Sequence, residues 1–263
     1  MTDQEERFEF AWELARKGGK STLDYFQSDR FSVEKKSDRS PVTVADRNAE
    51  QIMRGEIRAR FPDDGIVGEE FEDVAGSSGY RWILDPIDGT KSFICGVPLY
   101  GTMVGVEHGT RCLIGAVYCP GLDEGIYAST GAGAWHQKGN EPAVRARVSG
   151  CSDLAEAVMA TSEVRTFDEE GHLELYRELE SSCYVSRTWG DCYGYLLVAT
   201  GQIELMIDPE LKIWDAAAVQ PIVEEAGGRF ADWNGQPRID SGNAIGCCPG
   251  IFEAVLHKVG KHK

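Results

Sequence analysis

Two carboxylates three residues apart follow a short apolar run of the sequence. The run is Trp82-Ile83-Leu84, and Asp85 and Asp88 come directly after it. A proline between the two aspartates restricts the turn, and the following Gly89 lets a ligand approach the main chain closely. Two carboxylates aimed at one point suit Mg²⁺, which prefers oxygen ligands. An Asp/Gly turn with a helix cap is the alternative interpretation.

Further candidate residues flank this segment. If a helix begins after Gly89, the backbone amides of Gly89 and Thr90 face a phosphate. Glu69 follows an apolar pair in Gly68-Glu69-Glu70, where a surface charge is the alternative. Asp215 opens an alanine-rich segment, where a helix N-cap is the alternative. Asp46 lies three residues after Thr43, where it could simply complete a capping box.

Taken together, the order and spacing of these acids resemble the inositol monophosphatase family of Mg²⁺-dependent, lithium-sensitive sugar phosphatases. Three marks of that family occur: a GEE element at 68–70, a W-x-x-D-P-x-D-G-T segment at 82–90 and a late W-D at 214–215. The alanine-rich helix ends in the expected Glu-Ala-Gly-Gly at 225–228. The match runs from the N-terminal helix to at least Gly228, which is nearly the whole chain.

The resemblance implies roles for single residues. It implies two or three Mg²⁺ ions held by Glu69, Asp85, the backbone carbonyl of Ile87, Asp88 and Asp215. The attacking water would be positioned or activated by Thr90 and Asp46, with help from Glu69, and the amides of Gly89 and Thr90 would bind phosphate oxygens. Lys35 or Lys36 would lie in a mobile loop near the metals. Metal ions that bridge nucleophile and phosphate stabilise an in-line displacement, so no covalent intermediate is implied.

The segment 187–195 bears on the substrate. It reads R-x-x-G-D-x-Y from Arg187 to Tyr193, which resembles the histidinol-phosphate phosphatase branch of the family. A carboxylate at Asp191, after Gly190, would bind a cationic alcohol through charge-assisted hydrogen bonds and would reject a neutral polyol. Asp208, seven residues before Asp215, is the second expected contact, ahead of Glu210.

The same segment allows other interpretations. Asp191 could cap a helix that begins at Cys192, and Arg187 could pair with Asp191 or reach a neighbouring subunit. The first hypothesis for function is therefore hydrolysis of L-histidinol phosphate to L-histidinol and phosphate, a step of histidine biosynthesis. The second is an inositol-1-phosphate or broad sugar-phosphate phosphatase. The third is a non-catalytic regulatory relative, against which the intact set of acids argues. The resemblance also suggests a homodimer.

Composition limits the class of partner. The 263 residues include 27 Lys+Arg and 43 Asp+Glu, for a net charge of −16, which repels nucleic acid. A phosphate ester would also be repelled unless metal ions lie between it and the acids. No apolar run approaches the roughly 20 residues that span a bilayer. The eight cysteines form no CxxC pair and the N-terminus has no apolar leader, so we expect a cytoplasmic protein with reduced thiols.

The elements that position these residues can also be predicted. The first part predicts a helix over 43–60, and then short strands with tight connections, which favour an antiparallel sheet. The second part predicts strands at 158–162 and 203–207, and helices at 169–179, 191–200 and 215–226. We therefore expect alternating α-β-α-β-α layers, a mixed α+β and α/β architecture of the inositol monophosphatase and fructose-1,6-bisphosphatase type. We divide it into an α+β half, 1–145, with the antiparallel sheet and the metal site, and an α/β half, 146–263, with the substrate-selecting residues. The halves form one compact unit.

Overall fold

A computed structural model of the chain describes residues 2–28, 33–35 and 41–262. Its helices are α1 (Asp3–Thr22), α2 (Val44–Arg60), α3 (Thr90–Ile94), α4 (Val164–Glu169), α5 (Leu173–Ser182), α6 (Asp191–Ala199), α7 (Ile213–Ala217), α8 (Val219–Glu225) and α9 (Phe252–Lys261). Its strands are β1 (Val33–Lys35), β2 (Pro41–Thr43), β3 (Gly65–Gly68), β4 (Tyr80–Asp88), β5 (Gly101–His108), β6 (Arg111–Cys119), β7 (Glu124–Ser129), β8 (Gly133–Lys138), β9 (Val144–Arg145), β10 (Val158–Ala160), β11 (Val185–Arg187), β12 (Leu205–Asp208), β13 (Arg229–Ala231) and β14 (Ala244–Cys247).

Helices α1 and α2 cover one face of the first large sheet. Each begins with a capping box, in which a threonine side chain and an acid three residues later satisfy backbone amides that have no partner within the helix. The caps are Thr2 with Glu5 and Thr43 with Asp46. Apolar side chains at helical spacing then pack on strands β4, β5 and β6 in one buried cluster. The predicted helix over 43–60 is confirmed as α2.

The first large sheet has the strand order β3-β4-β5-β6-β7-β8-β9. Neighbouring strands from β4 to β9 run antiparallel, as the short connections predict, whereas β3 runs parallel to β4. The parallel pair brings the end of β3 next to the end of β4. As a result, the segment after Gly68 and the segment after Leu84 meet at one edge of the sheet.

The second sheet has the order β11-β10-β12-β14-β13 and mixes parallel and antiparallel pairs. Helices α6 and α8 lie between the two sheets, in a cluster that also contains side chains of both. Helices α5 and α9 cover the outer face of the second sheet in a further cluster. The layers therefore alternate α-β-α-β-α, and the predicted fold class is confirmed.

Two predicted helices differ in the structure. The helix expected over 215–226 is α7 followed by α8, because Pro221 has no N–H to donate to the carbonyl four residues earlier. The helix expected over 169–179 begins only at Leu173, as α5, because Gly171 takes a left-handed φ of 78° after the end of the separate helix α4. Among the described residues, no helix combines the length and apolar character that crossing a bilayer requires.

Candidate active site

A bulge in β4 places two aspartates on one face of the first sheet. Asp85 lies opposite Met103 of β5, whereas Asp88 lies opposite Gly101, so three steps along β4 match two along β5. In a regular strand, residues three apart point to opposite faces. The extra residue of the bulge cancels this alternation. Both carboxylates therefore emerge on the same side, toward the helices between the sheets.

Helix α7 brings a third carboxylate to the same point. Asp215 is the third residue of this helix and not its N-cap, which is Lys212, and the Asp215 Oδ2 accepts the backbone N–H of Lys212 at 2.7 Å. The alanine-rich turn after it packs closely on the sheet, since a Cβ on Gly105 would lie 2.7 Å from the Cβ of Ala217. Small side chains on both elements thus allow the approach that carries Asp215 to the aspartates of β4.

The three aspartates form what we call the carboxylate cluster: Asp85, Asp88 and Asp215. One carboxylate oxygen from each lies within 4.8 Å of the others. Burial, followed by the neighbouring Glu69 and Asp88, raises the pKa of Asp85 well above its usual range, and burial followed by Asp191 raises that of Asp88. Burial also raises the pKa of Asp215 to about 7. The cluster is therefore electrostatically strained unless a cation joins it.

The donor set fits a hard divalent cation. Asp85 is 2% exposed, and its Oδ1 has no hydrogen-bond partner among the described residues. A buried carboxylate oxygen without a donor is costly, and a metal ion would satisfy it. The cluster offers only oxygen atoms, which are the preferred ligands of magnesium and calcium. These residues could therefore hold a metal ion.

Glu69 lies beside the carboxylate cluster at the end of β3. Its backbone N–H donates to the carbonyl of Leu84 at 3.3 Å, which continues the parallel pairing of β3 and β4. Its carboxylate raises the pKa values of Asp46, Asp85 and Asp215, which places its charge near all three. The interpretation of Glu69 as a mere surface charge is therefore not supported.

Asp46 is both a capping residue and a candidate catalytic residue. Its Oδ2 accepts the N–H of Thr43 at 2.8 Å and the hydroxyl of Thr43 at 2.6 Å, which completes the capping box. Its Oδ1 is buried without a hydrogen-bond partner among the described residues, and burial raises its pKa to about 6. One oxygen thus holds the helix, and the other remains available.

The backbone amides of Gly89 and Thr90, which we call the predicted phosphate cradle, follow β4. Helix α3 begins at Thr90, as predicted, with Gly89 as its N-cap at φ 82°, a left-handed conformation that favours glycine. The hydroxyl of Thr90 donates to the carbonyl of Ile87 at 3.0 Å, so the carbonyl expected to bind metal also fixes Thr90. Lys36 and the side chain of Lys35 lie outside the described residues.

Asp191 opens helix α6 without capping it. The N-cap is Gly190, no side-chain hydrogen bond caps the helix, and Asp191 itself has φ 53°. The alternative that Asp191 is only a cap is therefore wrong. A Cβ on Gly89 would lie 2.9 Å from Asp191 Oδ2, so the carboxylate faces the predicted phosphate cradle. Burial raises its pKa to about 6, whereas Lys91 lowers it.

The other predicted substrate residues differ in their surroundings. Asp208 is 3% exposed, and its carboxylate accepts hydrogen bonds from within the second sheet and α6. Gly190 packs against the backbone of Ser162. Arg187 is exposed, donates to the carbonyl of Ser186 at 2.7 Å and lies over the ring of Trp189. Within the described residues, Arg187 forms no ion pair with Asp191, which excludes the expected pairing inside one chain.

Four of the predicted acids, Asp88, Asp191, Asp208 and Asp215, line one small cavity of about 100 Å³. It is lined by Asp88, Ser162, Asp191, Cys192, Tyr195, Asp208, Glu210, Leu211 and Asp215. Two contributions were missed by sequence analysis: Ser162, and the backbone N–H of Cys192, which donates to Asp88. No sequence signal marks either, because both depend on contacts between distant segments. Glu210, the less favoured candidate, lies at the cavity and pairs with Lys212.

Known proteins resemble this chain over nearly its whole length. The sequence model of the inositol monophosphatase family matches residues 3–262. A histidinol-phosphatase of Chlorobaculum parvum is 44% identical over 237 residues, 90% of each chain. A histidinol-phosphatase of Streptomyces coelicolor is 37% identical over 248 residues, 93% of each chain.

A solved structure shows the same fold. The Thermotoga maritima IMPase superimposes with a TM-score of 0.85 at 30% identity, over 97% of each chain. Sequence, fold and the arrangement of acids thus lead to one conclusion. The chain is a phosphoric monoester hydrolase of the inositol monophosphatase family.

Proposed function

We propose that the protein is a Mg²⁺-dependent phosphatase that hydrolyses L-histidinol phosphate to L-histidinol and phosphate, a step of histidine biosynthesis. The observation that carries this proposal is the position of Asp191. Its carboxylate lines the same cavity as Asp88 and Asp215 and faces Gly89 of the phosphate cradle. A substrate whose phosphate lies in the cradle would therefore present its alcohol portion to a buried negative charge.

That negative charge selects a cation. Burial and the neighbouring Asp208 raise the pKa of Asp191, so an unpaired carboxylate is unfavourable there. The α-ammonium of histidinol would supply the missing positive charge, whereas a neutral polyol would leave the carboxylate unpaired. The two histidinol-phosphatases described above, at 44% and 37% identity, support the same substrate.

The metal site follows from the carboxylate cluster. We propose that two or three Mg²⁺ ions are held by Asp85, Asp88, Asp215, Glu69 and the carbonyl of Ile87. When bound, such ions neutralise phosphate charge and lower the pKa of a ligated water. Because bound metal ions would offset the acidic side chains, a net charge of −16 is compatible with a phosphate substrate.

The remaining steps fall to side chains and amides of this chain. Thr90 and Asp46 would position or activate the attacking water, with help from Glu69. Asp46 suits this role because one of its oxygens is held by Thr43 and the other has no donor among the described residues. The amides of Gly89 and Thr90 would bind phosphate oxygens and orient the ester for in-line attack.

We further propose a cytoplasmic homodimer. The free thiols of all eight cysteines suit a reducing compartment. Next to the edge strand β11, Tyr184 is 77% exposed and Trp189 is 42% exposed, and exposed aromatic residues are common at interfaces. Arg187 stands between them and would reach a second copy. Light scattering of the purified protein tests this assembly, and a monomeric mass would contradict it.

The main test compares two esters. We expect kcat/KM on L-histidinol phosphate to exceed that on inositol 1-phosphate by at least about tenfold with Mg²⁺ present, which corresponds to one charge-assisted hydrogen bond. EDTA should abolish turnover of both esters, and added Mg²⁺ should restore it.

A kcat/KM ratio near one, or one that favours inositol 1-phosphate, supports the alternative of an inositol or broad sugar-phosphate phosphatase. The Thermotoga maritima IMPase, at 30% identity, favours that alternative. Lack of activity on any ester would indicate a non-catalytic regulatory relative, for which the intact acids give no support.

A further inference from the structure

Ser162 connects two acidic residues of the cavity through its main chain and its side chain. Its backbone N–H donates to Asp208 Oδ1 at 2.8 Å. Its hydroxyl oxygen accepts the backbone N–H of Asp191 at 2.9 Å. The three residues come from the end of β12, the segment after β10 and the start of α6, so the two bonds join three separate segments.

Asp208 is already engaged by the protein. Besides Ser162, the hydroxyl of Thr161 donates to Oδ1 at 3.1 Å, and the hydroxyl of Tyr195 donates to Oδ2 at 3.3 Å. Both carboxylate oxygens therefore hold donors from within the fold, at a side chain that is 3% exposed. Oδ1 already accepts two donors, so only Oδ2 keeps an acceptor position for an ammonium group, which makes Asp208 a weaker direct contact than Asp191.

The conformation of Asp191 depends on this support. Its φ of 53° is uncommon for a residue with a side chain and persists only where neighbouring groups impose it. The preceding Gly190 lies against Ser162, since a Cβ on Gly190 would lie 2.1 Å from Ser162 Cα. The position of Ser162 therefore decides where the Asp191 carboxylate points.

We propose that Ser162 is a positioning residue that holds Asp191 toward the substrate, and that Asp208 acts through Ser162 instead of contacting the substrate. This inference rests on the proposed function, in which Asp191 binds the ammonium group. It offers an alternative to the expectation that Asp208 is a second substrate contact. It also explains why Asp208, which lines the cavity, is only 3% exposed and is held by donors from within the fold.

A double-mutant cycle tests the connection between Ser162 and Asp191. Ser162→Ala should lower the ratio of kcat/KM for L-histidinol phosphate over inositol 1-phosphate about tenfold, mainly through KM, because one hydrogen bond is lost. Ser162→Thr keeps the hydroxyl and should recover most of that ratio. The double variant Ser162→Ala with Asp191→Asn should lower this ratio no further than Asp191→Asn alone does. Ser181→Ala, an exposed serine of α5, is the matched control.

A second variant separates the two roles of Asp208. Asp208→Asn removes the charge but keeps an oxygen that can accept the N–H of Ser162. We expect KM for L-histidinol phosphate to rise less than threefold in this variant, whereas Asp208→Ala should reproduce the loss of Ser162→Ala. A direct ammonium contact would instead make Asp208→Asn as damaging as Asp191→Asn. Thermal unfolding of each variant shows that it is folded.

The outcomes distinguish this inference from the proposed function. If the wild type does not prefer L-histidinol phosphate and Asp191→Asn leaves kcat/KM unchanged, both the proposed function and the positioning role of Ser162 fail. If the wild type prefers the amine ester but the losses of Ser162→Ala and Asp191→Asn add, only the positioning role of Ser162 is overturned. Non-additive losses together with a tolerant Asp208→Asn support it.

Discussion

The backbone N–H of Cys192 donates a hydrogen bond to the carboxylate of Asp88, which lies 104 positions earlier in the chain. This bond joins the first turn of α6, next to Asp191, to the end of β4, which carries two members of the carboxylate cluster. The residue that we propose to select the substrate and those that we propose to hold the metal are therefore physically connected. Variants must be chosen so that one contact is removed and the other kept.

Asp88→Asn meets that condition for the metal site. The amide oxygen can still accept the N–H of Cys192, but the charge that would bind Mg²⁺ is lost. We expect kcat to fall at least about 1000-fold on every ester, because a metal-assisted step loses several kcal/mol of stabilisation. Calorimetry should also show weaker Mg²⁺ binding. Asp240→Asn, which removes an exposed partner of Arg238, is the control, and activity of Asp88→Asn within twofold of wild type would refute the metal site.

Asp191→Asn tests substrate selection. Asparagine tolerates the left-handed conformation at this position, so the backbone bond to Ser162 should survive. Loss of the charge should lower kcat/KM on L-histidinol phosphate about 10- to 100-fold and change inositol 1-phosphate much less. Glu163→Gln, a nearby acid that pairs with Lys91 outside the cavity lining, controls for long-range charge. Equal losses of kcat/KM on both esters would show that Asp191 does not bind the ammonium group of L-histidinol phosphate.

Stability without metal should fall as the pH rises. The pKa of Asp215 in the folded chain is raised from 3.8 to about 7 by burial, so the folded chain holds this proton more tightly than the unfolded chain. The stability that Asp215 contributes is complete below pH 4 and is lost as the pH rises through about 7. The Tm of EDTA-treated protein should therefore decrease between pH 5 and 8, and Mg²⁺ should reduce the decrease. Asp215→Asn should show a flatter profile; an identical slope would contradict this account.

The buried ion pair between Arg7 and Asp64 should contribute strongly to the free energy of unfolding. Arg7 of α1 donates to both oxygens of Asp64 at 2.8 and 2.7 Å, and Trp82 and Ser78 donate to the same carboxylate. Asp64→Ala would leave the guanidinium buried and unpaired, at a cost of about 3–5 kcal/mol in the free energy of unfolding.

The matched comparison for Asp64 is Asp240→Ala. Asp240 also binds an arginine through both oxygens, but on the surface, so its loss should cost less than about 1 kcal/mol. Urea unfolding measures both variants. Similar losses in the two would show that burial of the Arg7–Asp64 pair contributes little.

The motifs predicted which acids meet, but not how they meet. The spacing of Asp85 and Asp88 would place them on opposite faces of a regular strand. Only the register against β5 shows the bulge that turns both the same way. That register depends on side-chain packing between two strands, which the motif itself does not contain. The same limit applies to Asp64, whose contacts with Arg7, Ser78 and Trp82 no motif indicates.

The division of roles in the cavity was the least predictable part. Ser162 has no neighbouring motif, and its two bonds join segments that are 29 and 46 residues away. Asp208 stands at the expected spacing from Asp215, but the donors on which we base its proposed supporting role come from distant segments. Helix ends were predictable where capping residues mark them, as at Thr43. The break near Pro221 was missed, although the proline that causes it is visible in the sequence.

The loop around position 191 is anchored by its main chain. Backbone amides, not side chains, bond Asp191 to Ser162 and Cys192 to Asp88. The side chain at 191 can therefore be exchanged, among residues that accept φ 53°, without moving the carboxylate cluster. On the proposed role of Asp191, a new substrate could thus evolve by a single replacement at this position while the means of hydrolysis is inherited unchanged.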